Sequence, residues 1–443
     1  MHGSLFATSS VMRAEHTNVR NVQVESSAEA ETRAFQPLTA VGGVRTPLGV
    51  LIVAVGGELK SAPCLAAGHD VRLYPVLGDL SESGTFREFA ALLEQTVERE
   101  VADTLVIACD AHPNYGSSNH ARELARRLRR QGRRVELLTI QHHHAHIAGV
   151  MAEHDERGPL IGLACDGTGF GASGGIWGGE LLLCEKDCYR RIGHLAEFPL
   201  IGGDSAAIET WRPALALLRL ALGDDWRVRI ARDAPLLNDR LERVGEARLE
   251  IAGRMAESGV NSPACTSLGR LFDAAAFLLG VCDRNTHEGE AAIALEQSAT
   301  SATVAHAASI APWPYEIRPT PAAASAAEHG HTIQMSFVPA LIQMIADIER
   351  RVPANALSAR FHETVSHMLA DGAERACANA GVGAVALSGG CFANHLLMSR
   401  VRELLEGRGL RVLYNLSTSC GDAGLAIGQA FVAAWRARAM FGD

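Results

Sequence analysis

The residues best suited to chemistry are the histidines of the segment Gln141-His-His-His-Ala-His146. This segment follows a predicted strand and begins a stretch with the apolar periodicity of a helix. His142 and His146 therefore share one helix face, with Cβ atoms about 5–6 Å apart, a spacing at which two imidazoles bind one metal ion. A solvated or capping run of histidines has the same pattern, and only the position after a strand favours a metal.

Two aspartates could complete such a metal site. Asp166 lies at the end of a predicted strand in the segment CDGTGFG, and Asp422 lies in the segment CGDAG. Glycine-flanked aspartates often only form turns, but flanking glycines also let backbone N–H groups approach a phosphate. A set of two histidines and a carboxylate suits iron or zinc, and leaves coordination positions open for a substrate.

Four glycine-rich segments are candidates for holding phosphate: residues 56–60, 166–175, 201–204 and 388–390. None is a Walker A loop or a complete G-x-G-x-x-G fingerprint, so each is weak alone. The last lies between a predicted strand and a helix, as a nucleotide site requires. Lys60 ends the first segment and could reach a phosphate or a carbonyl oxygen, although a surface lysine is the alternative.

Further polar groups are weaker candidates. Asp273 and the segment Glu288-Gly289-Glu290 offer carboxylates for ribose hydroxyls, with ordinary helix solvation as the alternative. Cys165, Cys391 and Cys420 neighbour the glycine-rich segments. A thiol that carries an acyl group is conceivable there, but small buried thiols are the preferred interpretation.

Two successive sets of elements must position these residues. Three strands are predicted between residues 50 and 75, followed by alternating helices and strands, and three more strands are predicted between 159 and 199. This repeat predicts a duplicated α/β architecture with a ligand cleft between two lobes. The predicted units are a flexible tail over 1–45, a first lobe over 46–157 and a second lobe with helical insertions over 158–443.

Composition excludes several classes of protein. The chain of 443 residues has a formal net charge of −9, which disfavours generic binding to nucleic acid. No apolar run approaches the roughly 18–20 residues of a membrane helix. The ten cysteines form no C-x-x-C pair, which predicts reduced thiols in a cytoplasmic protein.

Several segments together resemble the C-terminal transferase domain of the HypF carbamoyltransferases, which mature the active site of nickel–iron hydrogenases. The resemblance spans about residues 46 to 438 and implies a duplicated ribonuclease-H-like fold, as in actin and sugar kinases. The segments are QHHHAHIAGVMAEH, CDGTGFGASGGIWGGELLL, LGRLFDAAAFLLG, HEGEAAIALE, LSGGCFANHLLMSRV and CGDAGLAIGQA.

The resemblance implies roles for individual residues. The implied metal ligands are His142, His146, Asp166 and Asp422, of which the first three would also be catalytic together with Lys60. The implied nucleotide site places Gly389, Gly390 and Asn394 at the adenine, and Asp273, Gly289 and Glu290 at the ribose. The phosphates would be held by Lys60 and by the backbone N–H groups of Gly167, Thr168, Gly169, Gly202 and Gly203.

The implied reaction moves a carbamoyl group from carbamoyladenylate to the C-terminal cysteine of HypE and releases AMP, with iron or zinc at the histidines and Mg²⁺ accompanying ATP. Longer members of the family carry a YrdC-like domain that makes carbamoyladenylate, so we expect a separate YrdC-type enzyme as a partner. On this interpretation, the chain is either a naturally short form or an excised domain. The alternatives are O-carbamoylation of a small-molecule hydroxyl and a non-catalytic scaffold that binds nucleotide and HypE.

Overall fold

The computed structural model describes residues 34–38, 41–305, 310–320 and 332–442. Most of the predicted flexible tail lies outside these ranges. Within them, Gln36 and Pro37 pair with a strand of the first sheet, and Val41 and Val44 are buried. Within the described part of the predicted tail, structure that packs on the first sheet therefore begins before residue 46.

The first sheet has the strand order β1-β4-β3-β2-β5-β6. Strands β2, β3 and β4 are antiparallel neighbours, whereas β5 and β6 continue parallel to β2. Helices α1 and α2 bury one face of this sheet, and α3 begins directly after β6. The bounds are β1 Gln36–Pro37, β2 Val50–Ala54, β3 Cys64–Ala67, β4 Asp70–Leu73, α1 Ser83–Arg99, β5 Thr104–Asp110, α2 Gly116–Arg130, β6 Val135–Ile140 and α3 His142–Glu153.

The second sheet repeats this arrangement. Its path is β12-β13-β9-β8-β7-β14-β15, in which β7, β8 and β9 are antiparallel and β14 and β15 run parallel to β7. The order β9-β8-β7-β14-β15 matches β4-β3-β2-β5-β6, so the predicted duplicated ribonuclease-H-like fold is confirmed. The bounds are β7 Leu160–Phe170, β8 Ile176–Glu185, β9 Cys188–Leu195, β10 Phe198–Pro199, β11 Ala264–Cys265, β12 Glu316–Thr320, β13 Thr332–Ser336, β14 Ala384–Ser388 and β15 Arg411–Tyr414.

Helices cover the outer face of the second sheet and form the largest core of the protein. Most of them belong to the predicted helical insertion between β10 and β12. None of the helices in the described ranges is both long and apolar enough to cross a membrane. The bounds are α4 Ser205–Ile208, α5 Trp211–Leu222, α6 Trp226–Asp233, α7 Pro235–Glu242, α8 Glu246–Ser258, α9 Leu268–Leu279, α10 Glu290–Ala305, α11 Val338–Glu349, α12 Ala354–Ala380 and α13 His395–Gly407.

The last helix, α14 (Leu425–Phe441), lies with α3 between the two sheets. It follows the second sheet in the chain but also packs against β2, β3 and β5 of the first. Residues 425–434 are all buried, so this part of the helix has no face for solvent and needs cover on both sides. The predicted boundary at residue 158 therefore does not separate the two halves in space.

Glycines allow the close crossing of α3 and α14. A Cβ added at Gly428 would lie 1.7 Å from the carbonyl oxygen of Ala145, whereas one at Gly149 would meet nothing closer than 3.8 Å. We expect G428A to lower the free energy of unfolding by about 2–3 kcal/mol, because two buried helices must separate. G149A, the matched control, should change it by less than about 1 kcal/mol. Urea denaturation checks both, and equal losses would contradict the crossing.

Candidate active site

The histidine segment is positioned by the start of α3. Gln141 caps the helix, and its side-chain oxygen accepts a hydrogen bond from the His144 N–H at 2.8 Å. Because β6 ends at Ile140, the histidines lie at the carboxyl end of the first sheet, where parallel strands commonly present functional groups. The predicted helical placement of His142 and His146 on one face is confirmed.

The side chains of His142, His146, Asp166 and Asp422 converge, with ligand atoms all within 4.8 Å of one another. His142 Nε2 lies 3.1 Å from Asp166 Oδ2 and 3.2 Å from His146 Nε2. Asp422 Oδ1 lies 3.7 Å from both Nε2 atoms. Ligand atoms of a tetrahedral ion with bonds of about 2.0–2.2 Å lie about 3.3–3.6 Å apart. Two imidazole nitrogens that face each other also need a proton or an ion between them, so the four residues fit a metal.

Backbone N–H groups orient the carboxylate of Asp166. The N–H groups of Gly167 and Gly390 donate to Asp166 Oδ1 at 2.8 Å and 3.1 Å, which leaves Oδ2 for the histidines. Gly167 was predicted to hold phosphate, and Gly390 was predicted to line the adenine site within a segment that was also a phosphate candidate. In the structure both N–H groups already donate hydrogen bonds to the Asp166 carboxylate.

Asp110 is a residue of the candidate site that sequence reasoning missed. It ends β5, is fully buried, and accepts a hydrogen bond from His142 Nδ1–H at 2.7 Å. A carboxylate at Nδ1 fixes the tautomer in which Nε2 is free to bind a metal. The available signal was a charged residue at the end of an otherwise apolar strand, the same signal that pointed to Asp166.

The electrostatics of the cluster favour a cation. Burial alone would lower the pKa of His142, but Asp110 and Asp166 outweigh it and hold that pKa well above its usual range. Burial opposes the charge of Asp166, yet hydrogen bonds from His142 and His146 hold the pKa of Asp166 well below its usual range. Burial raises the pKa of Asp422. A divalent ion would replace the shared protons of this cluster.

The other two histidines of the segment point elsewhere. His143 packs against Trp177 and His144 against Tyr189. Both are completely buried, and burial lowers the pKa of His143 far below its usual range and that of His144 to about 3. They are neutral core residues.

An open cleft of about 1050 Å³ adjoins the cluster, and Asp166 and Asp422 belong to its wall. A neighbouring cavity of about 860 Å³ shares part of that wall and includes Thr168. The first of these clefts brings together half of the residues predicted for substrate and nucleotide, with two of the predicted metal ligands. They are Lys60, Asp166, Gly167, Asp273, Gly289, Gly390, Asn394 and Asp422.

Three of these side chains already have protein partners. Lys60 Nζ lies 2.8 Å from Glu288 Oε2 and is more than half exposed. Asp273 is buried and accepts a hydrogen bond from Asn285 Nδ2 at 3.0 Å. Asn394 caps α13 and contacts His362 through Nδ2 at 2.9 Å.

Five residues predicted to contact the nucleotide lie outside the described lining of both cavities. Three of them are glycines that lie close to other parts of the protein. Gly169 packs on the ring of His143, and the Gly202 N–H donates to the Asn261 carbonyl. A Cβ on Gly389 would lie 2.2 Å from the Cys165 carbonyl oxygen. Gly203 belongs to the same turn as Gly202, and the carboxylate of Glu290 accepts hydrogen bonds from Thr286. The four glycines of this set therefore allow close packing or form turns.

Two family models and several curated relatives match this chain over most of its length. Residues 49–153 match the family model described as the HypF Kae1-like domain, and residues 162–429 match the second subdomain of the carbamoyltransferase Kae1-like domain. A carbamoyltransferase HypF homolog of Cupriavidus necator is 37% identical over 383 residues, which are 86% of this chain and 91% of that protein. The carbamoyltransferase HypF of Rhodobacter capsulatus is 35% identical over 86% of this chain and 46% of its own length.

Solved structures show the same likeness. A crystal structure of full-length HypF in the phosphate- and nucleotide-bound form has a TM-score of 0.75 at 30% identity, covering 90% of this chain and 57% of that one. The chain thus spans nearly the whole of one curated relative and about half of the longer ones. The histidine–aspartate cluster, the duplicated fold and these matches together show that the chain belongs to the HypF family of carbamoyltransferases.

Proposed function

We propose that the chain transfers a carbamoyl group from carbamoyladenylate to the C-terminal cysteine of HypE and releases AMP, as a step in nickel–iron hydrogenase maturation. The observation that carries this proposal is the shared wall between the metal cluster and the large cleft. Asp166 and Asp422 are at once candidate metal ligands and cleft residues. A substrate in the cleft would therefore lie beside the metal.

The proposed metal is iron or zinc, held by His142, His146, Asp166 and Asp422. When bound, it supplies Lewis acidity that polarises a carbamoyl or phosphate oxygen. Asp110 holds His142 in the tautomer that this requires, and the N–H groups of Gly167 and Gly390 hold Asp166. We expect Mg²⁺ to accompany ATP where carbamoyladenylate is made.

The nucleotide would occupy the large cleft. Its wall combines the small or apolar residues Ala292, Ile293 and Ala393, which suit a purine ring, with the polar groups of Asp273 and Asn394. The crystal structure of the related full-length HypF is nucleotide- and phosphate-bound, which supports a nucleotide here. In the reaction, the sulfur of the acceptor bonds to the carbamoyl carbon as the bond to the phosphate oxygen breaks. AMP leaves with that electron pair, and the thiol proton passes to solvent.

The proposed setting is the cytoplasm, where thiols stay reduced. All ten cysteines are free, including the buried Cys165 and the cleft residues Cys391 and Cys420. Burial raises the pKa of each of these three thiols, which supports the interpretation of small structural residues over acyl carriers. The acceptor thiol would thus belong to the partner protein. The family matches favour this function over small-molecule O-carbamoylation or a scaffold.

Mass spectrometry of HypE tests the proposal. The metal-loaded chain is incubated with HypE, ATP, Mg²⁺ and carbamoyl phosphate, with and without a YrdC-type enzyme. We expect a carbamoyl adduct on the C-terminal cysteine only when the YrdC-type enzyme is present, and none on HypE in which that cysteine is replaced by alanine. An adduct without the YrdC-type enzyme would show that this chain also activates carbamoyl phosphate. No adduct in either mixture would contradict the proposed function.

A further inference from the structure

Arg270 lies where the two cavities of the site meet. It belongs to the first turn of α9, lines both cavities, and is only 7% exposed. The helix begins directly against the part of β7 that carries Asp166, since a Cβ on Gly269 would lie 2.7 Å from the Gly167 Cα. Arg270 Nη2 faces the same glycine, 4.0 Å from the position a Cβ would take there. This guanidinium therefore adjoins the metal cluster and the proposed nucleotide cleft.

The guanidinium is incompletely partnered. Its Nε lies 2.9 Å from Asp273 Oδ2, but neither atom forms an aligned hydrogen bond. Its Nη1 is shielded from water and has no hydrogen-bond partner in the described residues. By contrast, the guanidinium of Arg191 donates to both Glu180 and Thr266. Buried charged donors without acceptors are costly, so such a donor requires an acceptor from ordered water, an ion or a ligand.

The missing acceptor is an oxyanion. A guanidinium presents its N–H groups in a planar fork that matches the oxygens of a phosphate. The 12-residue helix α9 adds the positive end of its dipole at the same place. A metal ion in the cluster would offset the charges of Asp166 and Asp422. Under the proposed function, the anion delivered to this cleft is the phosphate of carbamoyladenylate.

The other candidate phosphate donors are less suitable. Lys60 is more than half exposed and paired with Glu288. The N–H groups of Gly167 and Gly390 are used by Asp166. We therefore propose, on the basis of the proposed function, that Arg270 binds the phosphate of the adenylate and selects a phosphorylated nucleoside over a bare one.

Binding of AMP and adenosine tests this assignment. Calorimetry on the metal-loaded full chain should show that the wild type binds AMP at least about 10-fold more tightly than adenosine. In R270Q, the ratio of the two affinities should fall to about one, because AMP loses its phosphate contact while the affinity for adenosine changes little. An unchanged ratio in R270Q would overturn the proposal.

The variant D273N distinguishes phosphate binding by Arg270 from a purely structural ion pair between Arg270 and Asp273. It removes the carboxylate that pairs with Arg270 but leaves the guanidinium in place, so the preference for AMP should persist or increase. If D273N and R270Q abolished the preference to the same extent, the pair would be structural and the proposal wrong. If the wild type bound neither AMP nor adenosine, the proposed function itself would fail. Binding of both without a difference in R270Q would refute only the role of Arg270.

Discussion

Replacing His146 with alanine is expected to remove the bound metal and to lower carbamoyl transfer by about 10³-fold or more. His146 Nε2 lies within 3.7 Å of the ligand atoms of His142, Asp166 and Asp422, so its loss leaves one imidazole and two carboxylates. The site is buried, and no other described histidine points into it. Metal content per chain and the initial rate of HypE carbamoylation measure the two effects.

His154 provides the matched control for this variant. It caps the opposite end of α3, where its Nε2 contacts the Tyr414 carbonyl oxygen at 2.9 Å. We expect H154Q to keep its metal and to stay within about threefold of the wild-type rate, because it lies outside the cluster. Full metal content in a folded H146A protein would exclude His146 as a ligand, and circular dichroism establishes the folding of both variants.

The second large effect is expected from a single methyl group at Gly169. A Cβ there would lie 2.4 Å from His143 Cε1 and 2.9 Å from His142 Cδ2. Both rings are buried in close-packed surroundings and cannot move away freely. We therefore expect G169A to displace the ring of His142, a proposed metal ligand, and to weaken metal affinity by about 100-fold. Competition with a chelator of known affinity measures the change.

Gly167 is the matched control for G169A, since both glycines belong to one segment. A Cβ at Gly167 would meet only Arg270 Nη2, at 4.0 Å. G167A should therefore retain the wild-type metal affinity within about threefold. Equal metal affinities of G169A and G167A would show that the missing side chain of Gly169 is not needed to position the histidine rings.

Local sequence patterns were sufficient for most of the elements, and they pointed to the residues that converge at the candidate metal site. The spacing of His142 and His146 places both on one face of any helix. The apolar run before Asp166 predicts a strand, although in the structure this strand continues past Asp166 to Phe170. The repeated order of three strands, helix and strand likewise predicts the duplicated fold, because each step depends on neighbours in the chain. Asp422 was already a candidate from its glycine-flanked segment, and the family resemblance implied the full set of four ligands.

Tertiary structure alone decided which glycines line the cleft and which leave space for another side chain of the protein. Gly167 and Gly390 line the cleft, whereas Gly169 gives room to a histidine ring. The sequence cannot distinguish these roles, because a missing side chain looks the same whatever occupies its place. The same holds for Asp110, for Arg270 and for the position of α14 between the sheets. Each depends on which surfaces meet across a large distance in the chain, and this is determined by packing rather than by local pattern.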